Sequence, residues 1–558
     1  MMLMWCMGMA LAAEPDVLER AVRAELSRSM TQLKLPDQDG PYEAEVTVVE
    51  GQSAVSRARF GQVTERSLVP VRRARVEVRV GDLSVDSSNF SGLFGVPDGV
   101  EQRILPTDPI EAAIRRELWL ALDQAYKGAS QQLAGKLAAR EGQQRQYTPD
   151  AVAVAPLSTP KISSRAVDVD SVAKTVAALT APLAQHPDLE VGGAVGQDWQ
   201  GRRLLMSSGG TEAWHRTGVT IYRVETKTRA KSGAVIRGTR SWVARTPDQL
   251  PDQSQMVAEV DAMAQWTLGL RDAPVEEDYL GPVLFEGQAA TELFRQLLHP
   301  QLGGTPPKED APDGEGDDGL SPPVARIGRR LLPTGWQVVD DPKAMKDAAG
   351  TYVHDFEGTP AQRVSLVEGG VVRRLLMSRV PRKDTSGSTG HARGSGTSRR
   401  AAMPSVVQVT APKLVSERAL RKKALALGRD AGLDYILVVR RMATLAMDES
   451  SQIAFAGDAP LPGLTTPVEI YRLHQDGREV PVRNVHFSGV DRRVLRDIVA
   501  ASRGIGPMDM MDKPGGSFRT GVGHLGGLPV TWDAPEVVIS ELELRGKSGG
   551  ERRVIPRP

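Results

Sequence analysis

The chain has 558 residues, too many for one ordinary hydrophobic core, and this length predicts two or three folded units. Its 70 basic and 69 acidic residues nearly cancel, so no overall field would draw the protein to nucleic acid or to an anionic membrane. A hydrophobic fraction of 40% and a charged fraction of 25% are ordinary for a globular protein.

A short apolar run opens the chain and ends at the small residues Ala10 and Ala12, before polar sequence begins. It is too short to span a bilayer and predicts a secretory signal over residues 1–13. The expected location is therefore periplasmic or exported, with a cytoplasmic protein as the alternative. Removing this segment would also remove Cys6, the only cysteine, and would exclude disulfides and zinc-thiolate sites. We expect no stable membrane span later in the chain, because no other stretch approaches about 18 uninterrupted apolar residues.

Residues 14–275 are predicted to form an N-terminal domain of helices and antiparallel strands. Asp16 and Glu19 form a capping-box pattern, and apolar residues follow at helical spacing until Pro36 closes the helix. Further helices are expected at 108–140, 169–179 and 254–270. Alternation with period two predicts strands at 43–49, 73–80, 189–195, 203–207 and 219–227. Residues 141–164 are rich in Gln, Pro and Ser and are expected to cross the surface.

Residues 276–558 are predicted to form a β-rich domain, which makes the whole chain α+β. Strands are expected at 405–410, 435–441, 468–473 and 537–544, and helices at 417–427 and 492–501. Two low-complexity stretches are predicted to be mobile loops. They lie at about 303–323, with an acidic cluster, and at about 382–400, with Ser, Gly and basic residues.

Seven segments of this second half follow one another as the conserved blocks of a known family do. They are Gly-Pro-Val-Leu-Phe-Glu-Gly-Gln-Ala-Ala at 281–290, Phe-Glu-Gly-Thr-Pro-Ala-Gln at 356–362, and the segments 366–377, 388–393, 432–440, 467–472 and 539–544. Together they resemble the TldD/PmbA family of metallopeptidase-related proteins. The resemblance implies an N-terminal α+β domain, a C-terminal antiparallel β-barrel-like domain, and a paired assembly that cuts small or unfolded peptides inside a cavity.

In active members of that family, a helix after the Gly-Pro-Val-Leu strand carries His-Glu-x-x-x-His, whose histidines bind zinc and whose glutamate is the general base. Aligned from Gly281 without gaps, the first His and the Glu fall on Arg295 and Gln296, and the second His falls on Pro300. A protonated guanidinium cannot bind zinc, an amide is no base, and proline offers no ligand and is expected to end the helix. We expect His299, one place away, to interact with the last carbonyls of the helix, and Glu292 to pair with Arg295.

Other candidate residues come from the neighbouring blocks. The resemblance places a peptide-binding group near the cavity: Glu357, Gly358, Gln362, Ser388, Thr389, Gly390, His391 and Arg393. The alternative interpretation is that Gly358 and Pro360 form a turn and Gln362 begins a strand. A rearranged metal site would use His299, His354, Asp355 or His391, although His354 and Asp355 also fit a polar pair at a strand edge and His391 an exposed loop residue.

Three functions remain open from the sequence. The first is a companion subunit that binds no metal and shapes the proteolytic cavity, as a homodimer or with a zinc-motif family member. The second is an active metallopeptidase with a rearranged site, and the third is a stand-alone envelope protein that binds peptides. No cofactor is expected unless zinc is held by a rearranged site or supplied by a partner.

Overall fold

The structure is a computed structural model of the chain. It describes residues 16–90, 99–143, 147–310, 327–385, 387–394, 400–443, 464–512 and 527–546. The predicted signal segment, residues 1–13, lies outside them. Within the described residues the α-helices are α1 (Val17–Gln32), α2 (Glu111–Arg140), α3 (Val169–Thr180), α4 (Gln253–Gly269), α5 (Gly287–Leu302) and α6 (Glu417–Asp430). In this part of the chain no helix is long and apolar enough to cross a membrane.

The first half is built on one antiparallel sheet of six strands. They are β1 (Glu43–Arg59), β2 (Gln62–Arg79), β3 (Val100–Ile104), β4 (Val191–Ser207), β5 (Glu212–Arg229) and β6 (Val235–Ala244), in the spatial order β3-β2-β1-β4-β5-β6. Helices α1 to α4 pack on one face of this sheet, where alternate apolar side chains form two clusters. Because strand side chains alternate between faces, the other set of residues points toward the second half of the chain.

The second half contains the remaining strands. They are β7 (Tyr279–Phe285), β8 (Gln337–Asp340), β9 (Val364–Glu368), β10 (Val371–Val372), β11 (Ala392–Arg393), β12 (Ala401–Ala402), β13 (Val406–Thr410), β14 (Tyr435–Met442), β15 (Pro467–His474), β16 (Glu479–Pro481), β17 (Val485–Ser488), β18 (Ile498–Ser502), β19 (Met508–Asp512), β20 (Leu528–Asp533) and β21 (Glu536–Gly546). One sheet has the order β10-β9-β8-β13-β20-β19, and another has β16-β15-β14-β7-β21-β17 with β18 beside β21. Strands β11 and β12 pair separately.

This architecture confirms the α+β class predicted from the sequence. The second half is not wholly antiparallel, since β13 pairs with β20 and β14 with β7 in parallel. Helix α5 lies over the shared core of these two sheets, which is the largest apolar cluster in the chain. The domain boundary between residues 275 and 276 stays a prediction.

Strands β1, β2 and β4 are much longer than the sequence indicated. The two strands predicted at 189–195 and 203–207 are one strand, β4, because the polar residues between them find partners on neighbouring strands. Gln197 Nε2 donates to Ser53 Oγ at 2.9 Å, and Asp198 accepts from Thr220 Oγ1 at 2.9 Å. Buried polar side chains of this kind interrupt the alternation of apolar residues from which a strand is predicted.

The helix predicted at 492–501 was wrong. Asp491 caps a short 3-10 turn, Arg492–Asp497, and the chain then continues directly into β18. Residues 498–502 satisfy their backbone groups by pairing with β21 instead of within a helix. The helices and strands predicted at 417–427, 435–441, 468–473 and 537–544 are confirmed as α6, β14, β15 and β21.

Both predicted mobile loops are partly packed. Gly303 and Thr305 are buried, and Thr305 Oγ1 accepts from Ala402 N at 2.7 Å; residues 311–323 of that loop lie outside the described residues. In the second loop, residues 390–393 and Arg400 are buried, whereas 386 and 395–399 are outside. Gly and Ser are favoured here for a tight backbone approach: a Cβ at Gly390, whose φ is +72°, would lie 2.3 Å from Pro360 O.

The segment 141–164 runs mostly over the surface, as predicted, but two of its described residues, Asp150 and Ala151, are buried. Asp150 is buried and accepts an ion pair from Lys136 Nζ of α2 at 2.6 Å, and Lys136 is itself fully buried. The same ammonium donates to the carbonyls of Asp86 at 3.1 Å and Ser88 at 2.7 Å. One lysine therefore fixes two irregular segments against α2.

Replacing this lysine tests that role. We expect Lys136→Met to lower the free energy of unfolding by about 3 kcal/mol, because Asp150 would keep a buried charge with only Arg140, 3.8 Å away, beside it. The matched control is Lys127→Met on the same helix, where the ion pair with Asp123 is exposed and should contribute less than about 0.5 kcal/mol. Urea unfolding followed by circular dichroism measures both; equal losses for the two variants would contradict the assignment.

Candidate functional site

Helix α5 is the element on which the predicted zinc positions lie, and strand β7 delivers it. β7 runs between β14 and β21, so the segments 281–290, 432–440 and 539–544 that carried the family resemblance are neighbours in one sheet. Gly287 starts the helix with φ +55°, and its N–H donates to Glu536 Oε1 of β21 at 2.9 Å. The start of α5 is thus held in place by a hydrogen bond to β21.

Arg295 occupies the centre of a buried ion-pair network on α5. Its Nε donates to Glu292 Oε2 at 2.9 Å, and its Nη1 donates to Asp512 Oδ1 of β19 at 2.9 Å. All three side chains are almost fully buried. The i, i+3 pair predicted between Glu292 and Arg295 is confirmed, but in the interior, where charges persist only when they are paired.

The side chains at and next to the other aligned positions also make contacts within the fold. Gln296 Nε2 donates to Glu292 Oε2 at 2.9 Å, and its Oε1 accepts from Thr465 N at 2.8 Å. Pro300 does not end the helix, which continues to Leu302, because a proline this close to the C-terminus costs only one hydrogen bond. His299 is not a cap for the last carbonyls: its Nδ1 contacts Asp512 Oδ2.

Zinc therefore does not fit the residues of this helix. Arg295, the residue aligned with the first ligand, carries a guanidinium that already pairs with Glu292 and Asp512. Burial by itself would raise the pKa of Asp512, but the charges of His299 and Arg295 lower it to about 2. Asp512 thus stays ionised beside Arg295 and His299.

The block at 354–359 forms a tight buried turn rather than a strand edge. Asp355 Oδ1 accepts from the N–H groups of Glu357 and Thr359, both at 2.9 Å, and Gly358 adopts φ +82°. The turn predicted at Gly358 and Pro360 is therefore present. Burial raises the pKa of Asp355 to about 6, and burial together with Asp355 raises that of Glu357 to about 7.

The segment 388–393 packs against this turn. Asp355 Oδ2 accepts from Ala392 N at 3.0 Å, and Gln362 Nε2 donates to Ser388 O at 3.2 Å. Thr389 Oγ1 accepts from Met377 N at 2.8 Å. Gln362 is exposed and lies two residues before β9, so it does not begin that strand.

Two of the three histidines proposed for a rearranged metal site, His354 and His391, are buried. His354 is buried, with Nδ1 3.1 Å from Asp355 O, and burial together with Arg203 lowers its pKa to about 4. His391 is fully buried rather than exposed, with Nε2 3.5 Å from Asp340 Oδ1. Ser405 Oγ donates to the same carboxylate at 2.6 Å and not to the imidazole, so the three do not form a nucleophilic triad.

No group of three or more His, Cys, Asp or Glu side chains is arranged for a metal ion among the described residues. The peptide-binding candidates do come together as one packed group, as the resemblance implied. Most of their polar atoms take part in internal hydrogen bonds; Gln362 is exposed, whereas Arg393 is buried and lines a cavity. Their contact with a peptide stays a prediction.

A cavity of about 210 Å³ lies between the first sheet and the second half of the chain, and sequence analysis missed it. We call it the arginine cavity. Its basic lining residues are Arg73, Arg75, Arg203, Arg216, Arg245, Arg393 and Arg400, together with His215. No Asp or Glu from the described ranges lines it. Alternate arginines in β2, at 73 and 75, were the one signal in the sequence, since period two places them on one face.

Acid unfolding tests the α5 network. Asp512 has a depressed pKa in the folded protein, so it contributes stability above its unfolded pKa of about 3.9 and loses it as the pH falls toward 2. We expect Asp512→Asn to reduce the free energy of unfolding by roughly 2–3 kcal/mol near pH 6. The difference from the unmodified protein should shrink toward zero by about pH 2. A difference that stays constant over this range would contradict the ion-pair assignment.

Part of the chain matches a known protein domain. Residues 279–426, which include β7 and α5, match the family model described as the PmbA/TldA metallopeptidase C-terminal domain. No curated protein matches the chain.

Three solved structures share the fold over nearly the whole chain. TldE from Thermococcus kodakarensis is 13% identical with a TM-score of 0.61, and covers 94% of this chain and 100% of its own. A proposed modulator of DNA gyrase from Thermotoga maritima is 14% identical with a TM-score of 0.58, covering 90% and 96%. A second such protein, from Bacteroides thetaiotaomicron, is 11% identical with a TM-score of 0.59, covering 94% and 98%. Residues 279–426 therefore form a domain of the PmbA/TldA metallopeptidase C-terminal type, and the chain as a whole has the fold of these three structures.

Proposed function

We propose that this protein is a companion subunit of a TldD/PmbA peptidase assembly that binds no metal itself and helps to form the cavity in which peptides are cut. The observation that carries the proposal is the position of Arg295. Its guanidinium bridges Glu292 and Asp512 inside the protein at the place where zinc would need a neutral histidine.

The substitution is integrated into the fold and is not a surface change. Arg295 is 3% exposed, and the two carboxylates raise its pKa against the opposing effect of burial. Deprotonating this guanidinium, or removing it to admit a metal, would leave Glu292 and Asp512 uncompensated. The network thus stabilises a form of the helix that has no open coordination position.

The general base is missing for a separate reason. Gln296, the residue aligned with the glutamate, has its amide held by Glu292 and by Thr465. An amide cannot take a proton from a nucleophilic water. The similarity to TldE supports a role beside another subunit, and the peptidase-related family supports peptides as the material handled.

Metal content and hydrolysis, measured with and without a partner, test the proposal. We expect the purified chain to contain no stoichiometric zinc and to leave short peptides intact. Mixed with a family member that carries His-Glu-x-x-x-His, it should form a stable complex in size-exclusion chromatography. In that complex the rate of peptide hydrolysis by the partner should change severalfold.

Two results would reject the companion role. Stoichiometric zinc that is lost in His354→Ala or His391→Ala would instead support an active peptidase with a rearranged site. Peptide binding by the chain alone, with no association with any zinc-motif member, would support a stand-alone binding protein. Lys127→Met, which changes only an exposed pair on α2, serves as the control for nonspecific effects of mutation on assembly.

A further inference from the structure

We propose that the arginine cavity is a binding site for a small ligand that carries a carboxylate on an apolar body, such as the last residue of a short peptide. The site goes beyond the companion role, because it would bind its ligand whether or not a second subunit is present. Only the choice of a peptide as the carrier of the carboxylate rests on the proposed function.

The charges of the cavity are the first reason. Arg400 pairs with Glu45, donating at 2.8 Å, and Arg75 pairs with Glu77 at 2.8 Å. Five other lining arginines form no ion pair with any carboxylate in the part of the chain that the structure describes; they are Arg73, Arg203, Arg216, Arg245 and Arg393. Natural interiors place charges in pairs, so an unpaired cationic lining indicates a partner that comes from outside the fold.

Arg203 is the strongest member of this group. It projects from β4 and is 2% exposed, and its Nε and Nη1 atoms have no hydrogen-bond partner. Its Nη2 reaches only the carbonyl of Asp355, at 3.2 Å, and its guanidinium lies 3.9 Å from the ring centre of Phe356. Two nitrogens of this guanidinium, on different edges of its plane, therefore have no hydrogen-bond partner, and each can donate to an incoming anion.

Burying the positive charge of Arg203 beside other cations is electrostatically unfavourable. Burial, with the nearby charge of Arg400, lowers the pKa of Arg203 to about 9. Burial also lowers the pKa of Arg393, and that of Arg245 falls through burial and its neighbour Arg216. Arg393 gives two of its donors to the carbonyls of Pro404 and Pro529 at 2.6 Å, and its Nε atom remains without a partner. A bound anion would compensate the buried positive charge of all three arginines.

One part of the remaining cavity wall is apolar. Trp199, Val219, Ile221 and Met511 form a small cluster of buried side chains there. A volume of about 210 Å³ is below the roughly 300–1,000 Å³ of drug-sized sites, so the cavity suits one or two residues. A bare phosphate ion would satisfy the arginines but would leave this wall uncovered, and we therefore assign the carboxylate with an apolar side.

Calorimetric titration of the full-length protein tests the assignment. The probe is the dipeptide N-acetyl-Ala-Leu as the free acid, with its C-terminal amide as the matched uncharged ligand and inorganic phosphate as a third titrant at the same ionic strength. We expect the acid to bind at least tenfold more tightly than the amide and more tightly than phosphate. Raising the salt concentration should weaken binding of the acid.

Two substitutions and one control locate the site. Arg203→Met should weaken binding of the acid at least tenfold without lowering Tm, because it removes a buried cation that forms no ion pair with a carboxylate. Arg245→Met, on a half-buried residue, should also weaken it. Arg237→Met is the control: it lies on β6, is largely exposed, pairs with Glu225 and does not line the cavity, so affinity should not change.

Several outcomes would overturn the proposal. Equal affinities for acid and amide, or no binding of the acid, would reject a carboxylate site. Tighter binding of phosphate than of the acid would assign a phosphate site instead. If Arg203→Met unfolds the protein, Arg203 is structural, and unchanged binding in Arg245→Met would then reject the site. None of these results depends on a zinc-motif partner, so they are separate from a failure of the companion role.

Discussion

Buried ion pairs connect the inner face of the first sheet to the second half of the chain. Arg379 and Arg400 of the second half reach Glu43 and Glu45 at the start of β1, with donor–acceptor distances of 2.7 and 2.8 Å. Arg240 of β6 reaches Glu469 of β15 at 2.8 Å. Each pair is largely removed from water, so loss of either partner would leave an uncompensated charge. This contact explains why one face of the sheet carries charged residues while the opposite face is apolar.

The cost of burying a charge without a partner applies equally to the arginines that form no ion pair. Where an arginine on this inner face meets a glutamate, it holds the two halves together. Where no glutamate is near enough to pair, as with Arg203, the arginine lines a cavity and some of its nitrogens have no hydrogen-bond partner. A protein that used these side chains only for stability would gain more from apolar residues of similar size. Retaining them in that position is consistent with binding an anion between the halves.

Helix α5 follows the same rule in the core of the second half. In this chain the helix brings Arg295 between two carboxylates, those of Glu292 and Asp512. The charge balance of the site is thus kept within the chain. The arginine cavity and α5 are adjacent through β19, because Met511 lines the cavity and Asp512 pairs with Arg295. Ligand in the cavity and the α5 network would therefore act on one strand.

Local patterns determined much of this fold. The capping box at Asp16 and Glu19, the helical spacing of α2 to α4 and the block order from Gly281 onward could all be read from neighbouring residues. The tertiary structure alone decided how polar residues are used: that His391 is buried, that His299 meets Asp512, that β4 runs through Gln197 and Asp198, and that arginines from β2, β4 and the segment near 393 face one cavity. The physical reason is that periodicity reports which side of an element a residue faces, whereas the partner of a charge comes from residues hundreds of positions away.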